Sequence, residues 1–122
     1  MPVKAPRRVR SVDPEALLQH NALAWLKWRG IVAWRVALGP VLHGGGRIRA
    51  KNPLAGFPDV CGVLSRTQPG RFWAVEFKSA KGRLRQNQEA WLTKLRDAGC
   101  AVAVVRHVGE LEPFFRELGE IH

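Results

Sequence analysis

The chain has 122 residues, a size at which one domain with its own core is expected. Apolar residues make up 46% of it and include five Trp and five Phe, which excludes an intrinsically disordered protein. Lys and Arg number 20 against 10 Asp and Glu, and the formal net charge of +10 favours a polyanionic partner, above all nucleic acid, over a merely soluble basic surface.

The sequence shows no membrane segment and no zinc motif. No apolar run approaches the ~20 residues that span a bilayer, and no hydrophobic leader opens the chain, so we expect an intracellular protein. Cys61 and Cys100 lie far apart, each in an apolar run, which favours buried free thiols and leaves a disulfide as the open alternative. The scattered histidines have no zinc-ligand spacing with them.

A basic arm and a helix open the chain. Residues 1–12 lack apolar periodicity and predict a flexible arm. Asp13-Pro14-Glu15 is a helix start, since Asp13 can cap free amides and Pro14 suits the first helical position. The helix should end near Arg29, with Gly30 as its stop. Its core stripe consists of Leu18, Ala22, Trp25 and Leu26.

The next segment predicts a strand and a basic loop. Residues 31–38 are β-branched and apolar apart from Arg35, and Gly39-Pro40 ends them in a turn. Residues 43–56 hold a glycine triplet among basic residues, which predicts a mobile loop or hairpin tip. The triplet is not a phosphate-binding loop, because no Gly-Lys-Ser/Thr follows it and no helix opens there.

Two further strands should form an antiparallel hairpin. Residues 57–64 predict a strand entered through Pro58-Asp59, and residues 71–79 predict the next one. In the second strand a period of two places Trp73, Val75 and Phe77 on a core face. The other face carries Phe72, Ala74, Glu76 and Lys78.

The last third of the chain predicts a crossover. A helix over about 85–98, with Gln88, Trp91, Leu92 and Leu95 on one face, leads to an apolar strand at 100–105, whose continuous run indicates cover on both faces. This strand should pair parallel to 72–78. A closing helix covers 110–118. The predicted class is therefore α/β, with a mixed central sheet flanked by helices in the order α-β-β-β-α-β-α.

The chemistry centres on Asp59, Glu76 and Lys78. Two carboxylates on adjacent strands repel each other unless a cation lies between them, and hard oxygen ligands suit Mg²⁺ or Mn²⁺. Lys78 could act on a water nucleophile or neutralise charge at an attacked phosphodiester. The plain alternative is a surface ion pair between Glu76 and Lys78.

Phe57-Pro58-Asp59 followed by Val75-Glu76-Phe77-Lys78 resembles the PD-(D/E)XK nuclease superfamily. More narrowly, the layout resembles the VRR-NUC family, whose small stand-alone members often occur in phage genomes. Further matching features are Glu15, Trp34-Arg35-Val36, Gly56 before Phe57, and Gly82-Arg83-Leu84 leading to Gln88 and Trp91. They span about residues 13–108.

The resemblance implies a restriction-endonuclease-like core and a single nuclease domain over residues 13–122. It implies a metal site of Asp59, Glu76 and the carbonyl of Phe77, with Glu15 contributing directly or through water. Lys78 would be the catalytic lysine and Gln88 an active-site residue. Without the family, Gln88 is an ordinary solvated helix residue and Glu15 a helix N-terminal charge.

The resemblance also implies DNA, branched DNA in particular, as the partner, and a homodimer like those of Holliday junction resolvases. Arg35 could reach a phosphate or pair with a carboxylate. The candidate backbone contacts are basic residues in the arm, the loop and the turn before the second helix: Lys4, Arg7, Arg8, Arg10, Arg35, Arg47, Arg49, Lys51, Lys81, Arg83 and Arg85.

The resulting hypothesis is a Mg²⁺-dependent structure-selective DNA endonuclease that acts at branched or Holliday junction DNA. The alternative from another class is a non-catalytic nucleic-acid-binding module with the same fold. A restriction-type enzyme is a third possibility, although the chain has little room for a separate sequence-reading element.

Overall fold

The computed structural model describes residues 13–38, 41–43, 48–50 and 52–122. The predicted basic arm, Arg47 and Lys51 therefore lie outside the described residues. In chain order the elements are α1 (Pro14–Trp28), β1 (Val32–Arg35), β2 (Val41–His43), β3 (Ile48–Ala50), β4 (Val60–Val63), β5 (Phe72–Phe77), α2 (Gln86–Asp97), β6 (Ala101–Val105), a short 3₁₀ turn (Val108–Glu110) and α3 (Leu111–Glu117).

Helix α1 begins and ends as its sequence predicts. The Asp13 carboxylate accepts a hydrogen bond from the Glu15 amide at 3.1 Å. After Arg29, Gly30 takes a left-handed conformation with φ +71°, which an L side chain rarely adopts. The predicted core stripe is confirmed: Ala22 and Leu26 are buried, and Leu18 and Trp25 pack against the core.

Four strands form one mixed sheet in the order β1-β4-β5-β6. The predicted hairpin is present, since β4 pairs with β5 antiparallel, and β5 pairs with β6 in parallel across the α2 crossover. Residues Trp73, Val75 and Phe77 join the cluster that contains α1 and α3 side chains, including Ala22 and Phe115. Helix α2 packs on the opposite face, the face that carries Glu76.

The structure adds a second, two-stranded sheet to the predicted order, formed by β2 and β3. The sequence predicted a loop or hairpin tip over 43–56; the antiparallel pairing of β2 with β3 confirms a hairpin here, whereas the two strands themselves were not predicted. Each strand has only three residues. A run that short, beside three glycines and several arginines, gives no readable alternation of apolar and polar residues.

Strand β6 differs from its prediction. It lies at the edge of the sheet, and Val102, Ala103 and Val104 are only half-buried, although Ala103 packs against the core and α2 packs against β6. The difference arises because β6 has a strand neighbour on one side only.

Both cysteines are free thiols, which confirms the favoured interpretation over a disulfide. Cys61 is buried, and burial raises the pKa of its thiol to about 11, whereas Cys100 is half-buried. Among the residues that the structure describes, no helix combines the length and apolar character needed to cross a membrane.

Candidate active site

The strand register brings Asp59 to Glu76. Val60 pairs with Val75 and Cys61 with Ala74, so continuing the antiparallel ladder by one residue puts Asp59 opposite Glu76. Asp59 Oδ2 accepts a hydrogen bond from the Phe77 amide at 3.0 Å, which fixes its carboxylate at the end of β5. Pro58 is buried and lacks an amide hydrogen, and the chain enters β4 directly after it.

Glu76 is a buried acid in an unfavourable setting for a charge, with a side chain only 2% exposed. Burial first and the Asp59 carboxylate second raise the pKa of its carboxyl to about 8, although Lys78 lowers it in part. Glu15 also raises this pKa, by the smallest contribution. The pair therefore resists carrying two negative charges unless a cation is added.

Lys78 lies two residues beyond Glu76 and is 7% exposed. Its amide donates to the Val105 carbonyl at 3.1 Å, which holds the backbone beyond β5 against β6. Within the described part of the chain the ion pair present is Arg116 with Glu112, and Lys78 makes none at contact distance. The alternative of a surface ion pair between Glu76 and Lys78 is therefore wrong, since both side chains are buried and not in direct contact.

Gln88 connects the first turn of α2 to this carboxylate. Its Nε2 donates to Glu76 Oε1 at 3.0 Å, and its Oε1 accepts from the Arg85 amide at 2.8 Å. One side chain thus satisfies a free amide at the helix start and orients Glu76. Gln88 is consequently not the freely solvated glutamine that the sequence alone suggested.

Glu15 reaches the same end of β5 from the start of α1. Its Oε1 accepts from the Ser79 amide at 3.3 Å, and a Cβ built on Gly82 would lie 3.2 Å from the same oxygen. Glu15 therefore contacts the turn after β5 and lies beside the Asp59–Glu76 pair.

Arg106 holds that turn from the other side, and sequence reasoning missed it. Its Nη1 donates to the Ser79 and Gly82 carbonyls, each at 2.7 Å. The turn carries Lys81, so Arg106 fixes the backbone that presents a predicted DNA contact. The only available signal was an arginine directly after an apolar strand, which is too common a pattern to identify this role.

Arg35 lines an open cleft beside Asp59. The cleft has a volume of about 480 Å³ and includes Gln19 of α1 and Phe57 before β4 in its lining. In the described residues Arg35 pairs with no carboxylate at contact distance. The phosphate contact of Arg35 stays a prediction.

Three of the other predicted DNA contacts in the described residues lie in the turn directly after Lys78. Lys81, Arg83 and Arg85 are exposed and lie between Lys78 and α2. Arg49 lies within β3. Each of these contacts with DNA stays a prediction.

The carboxylates of Asp59 and Glu76 suit a hard divalent cation that keeps several of its waters. No three His, Cys, Asp or Glu side chains among the described residues are grouped so as to hold a metal ion on their own. Mg²⁺, however, commonly uses one or two carboxylates and keeps several waters. Asp59 and the buried Glu76 supply such a pair, and their mutual repulsion is what a cation would relieve.

Comparisons with known proteins agree with this architecture. No curated protein matches the chain. A solved structure described as a VRR_NUC domain superposes with a TM-score of 0.61 at 21% identity, covering 86% of this chain and 97% of that one, and shows a shared fold. The family model of the VRR-NUC domain matches residues 45–108, which is slightly more than half of the chain and contains Asp59, Glu76, Lys78 and Gln88. The chain therefore belongs to the VRR-NUC family of nuclease-type domains.

Proposed function

We propose that this protein is a Mg²⁺-dependent, structure-selective endonuclease that hydrolyses phosphodiester bonds in branched DNA. The observation that carries the proposal is the half-buried Asp59 beside the buried Glu76, with the buried Lys78 directly after β5. Two acids and a lysine without close ion pairs are costly to bury, and a nuclease site is where such a group has a use.

The metal would be held by Asp59, Glu76 and the main-chain carbonyl of Phe77, with Glu15 reaching it through water. A bound Mg²⁺ or Mn²⁺ supplies Lewis-acid polarisation of the phosphate and neutralises charge that develops on it.

The chain's own residues prepare the reaction. Hydrolysis forms a bond from phosphorus to a water oxygen, breaks the bond to the leaving oxygen, and moves the water's proton to solvent or the leaving group. Lys78 provides positive charge beside the attacked phosphate, where developing negative charge is stabilised most in a site shielded from water. Gln88 keeps Glu76 oriented by its hydrogen bond at 3.0 Å. Arg35 binds a neighbouring phosphate from the cleft beside Asp59.

Branched DNA is favoured because exposed basic residues follow Lys78 in the turn before α2 and the described residues include no separate element that could read bases. Contacts to phosphates recognise shape and carry no sequence information directly.

We also propose a homodimer, since a four-way junction must be cut on two strands. Edge strand β1 supports this assembly, because Val32 and Trp34 are 47% and 46% exposed there.

The decisive experiment is a cleavage panel of four-way junction, flap and linear duplex DNA in Mg²⁺ and in Mn²⁺. Wild type should cut a branched substrate, and Lys78→Met, which keeps the apolar stem, should lose at least about a hundredfold in rate. Lys94→Met is the matched control, since Lys94 is exposed on α2 and is not among the predicted DNA contacts, and it should still cut.

If wild type cuts none of these substrates, or if Lys78→Met cuts as fast as wild type, the proposal fails. Binding to junction DNA without any cleavage would instead support the non-catalytic binding module.

A further inference from the structure

Trp28, in the last turn of α1, is the most exposed of the large apolar side chains in the described residues, at 75%. A single exposed apolar residue is ordinary on a protein surface. Trp28 differs from such a residue because of the groups around it.

A guanidinium group lies over this ring. The Arg29 guanidinium carbon lies 5.6 Å from the Trp28 ring centroid and 5.7 Å from that of Trp25. Lys27 is exposed on the same turn. Lys27 and Arg29 also offset the partial negative charge of the last helix carbonyls.

The ring borders a cleft of about 370 Å³, here named the Trp28 cleft and lined by Trp28, Arg29, Arg66, Ile121 and His122. The acid next to it is Glu120, which is 3% exposed. Its carboxylate accepts hydrogen bonds from the Ser65 and Arg66 amides and from the Ser65 hydroxyl. Its charge is therefore directed into the fold, and the open side of the cleft presents an indole and cations.

We propose that the Trp28 cleft binds a single-stranded segment of DNA, with one base stacked on Trp28 and the adjoining phosphates at Arg66 and Arg29. An aromatic platform within a cationic groove is the arrangement that binds unpaired nucleotides without sequence preference. A duplex keeps its bases stacked on each other and offers phosphates only, so it gains nothing from the indole.

The position of the cleft relates it to the candidate active site. Glu15 lies at the start of α1 and Trp28 at its end, and a helix of 15 residues is about 22 Å long at ~1.5 Å per residue. That length equals six or seven nucleotide steps at ~3.4 Å each along one strand. An unpaired strand leaving a branch point near Asp59 can therefore reach the cleft.

This binding site is separate from the proposed nuclease site, and occupying it requires neither metal nor cleavage. Its test therefore stands or fails apart from the proposed function. The experiment is fluorescence anisotropy in EDTA with a labelled oligo-dT strand and with a labelled blunt hairpin duplex.

Trp28→Ala should weaken oligo-dT binding about tenfold and leave duplex binding within about twofold, because stacking on an aromatic ring is lost. Trp28→Phe keeps a ring and should bind oligo-dT within about threefold of wild type. Arg66→Ala should also weaken oligo-dT binding, and Arg116→Ala, an equal loss of charge on α3, should not.

Three results would overturn the proposal. One is oligo-dT binding that Trp28→Ala and Arg66→Ala both leave unchanged. Another is an equal loss for oligo-dT and duplex in Trp28→Ala. The third is sedimentation that shows Trp28→Ala splitting a dimer, which would make the ring an interface with a second copy. Thermal unfolding confirms that each variant is folded, and the binding of Arg66→Ala decides the outcome should Trp28→Ala fail to fold.

Discussion

The fold raises the pKa of the Glu76 carboxyl, so the folded protein keeps its proton at pH values where the unfolded chain loses it. Its ordinary pKa is 4.5, and the fold raises it to about 8, by burial first and by Asp59 second. A raised pKa in an acid means that the folded state binds more protons than the unfolded state between these two values. Stability conferred at low pH is therefore lost as the pH rises through this window.

We predict that the metal-free protein becomes less stable from about pH 5 to pH 8, by up to ~1.4 kcal/mol per pH unit. Glu76→Gln, which cannot ionise, should flatten this slope, whereas Glu117→Gln on the exposed face of α3 should preserve it. Urea unfolding in EDTA across this pH range measures both. A wild-type slope that is flat, or that rises with pH, would contradict the assigned environment of Glu76.

At the scale of elements, the start of α2 joins the fold to the candidate site. Gln88 bridges the Arg85 amide and Glu76, and Asn87 packs against Gly56 just before the Phe57-Pro58-Asp59 entry to β4. The position of α2 and the position of the carboxylates are thus set by the same contacts.

Gln88→Ala should lower the free energy of unfolding by about 1–2 kcal/mol, because a helix-start amide and the Glu76 carboxyl both lose a partner. The matched control is Gln86→Ala, which removes an exposed glutamine from the same turn and should cost much less. Urea denaturation of the two variants gives the comparison. Equal losses of unfolding free energy in the two variants would mean that the Gln88 hydrogen bonds contribute nothing to stability.

Gly56→Ala should destabilise the protein more than Gly70→Ala does. Both glycines have left-handed backbones, with φ +88° and +81°. A Cβ on Gly56 would lie 2.7 Å from Asn87 Cγ, whereas one on Gly70 would meet nothing within 4 Å. Gly70→Ala thus reports the conformational cost of about 1–2 kcal/mol alone, and the excess in Gly56→Ala reports the clash. Thermal unfolding that ranks the two variants in the opposite order would contradict the packing of α2 on Gly56.

The sequence was sufficient for elements whose signals are local. Asp13-Pro14 and Gly30 set the ends of α1, and the alternation in Phe72–Phe77 predicted β5. The pairing of Asp59 with Glu76 also followed, because a hairpin between their strands leaves few registers. What the sequence missed depends on neighbouring elements. Tertiary packing sets the edge position of β6, the strands β2 and β3, and the hydrogen bonds of Arg106 to the Ser79–Gly82 turn.

At the scale of the whole molecule, part of the excess positive charge lies beside the candidate active site. The net charge of +10 is large for 122 residues, and exposed cations flank Lys78 through the turn that Arg106 holds. A surface with this charge binds a nucleic acid through the phosphates of the nucleic acid. Binding releases the counterions that were condensed on those phosphates.

Binding of a four-way junction in EDTA should therefore weaken steeply as salt rises. Arg83→Ala, in the turn beside the site, should reduce the slope of log affinity against log salt by about one. Arg96→Ala removes the same charge at the far end of α2 and should leave the slope unchanged. Equal slopes for wild type and Arg83→Ala would remove this turn from the DNA-binding surface.

The central claim is that Asp59 and Glu76 form one cation site, and Mn²⁺ titration by calorimetry tests it most directly. Wild type should bind Mn²⁺, Asp59→Asn should bind it at least about tenfold more weakly, and Asp97→Asn, which removes an exposed acid from α2, should bind it as wild type does. Equal Mn²⁺ affinity in wild type and Asp59→Asn, or no binding by folded wild type, would contradict the account.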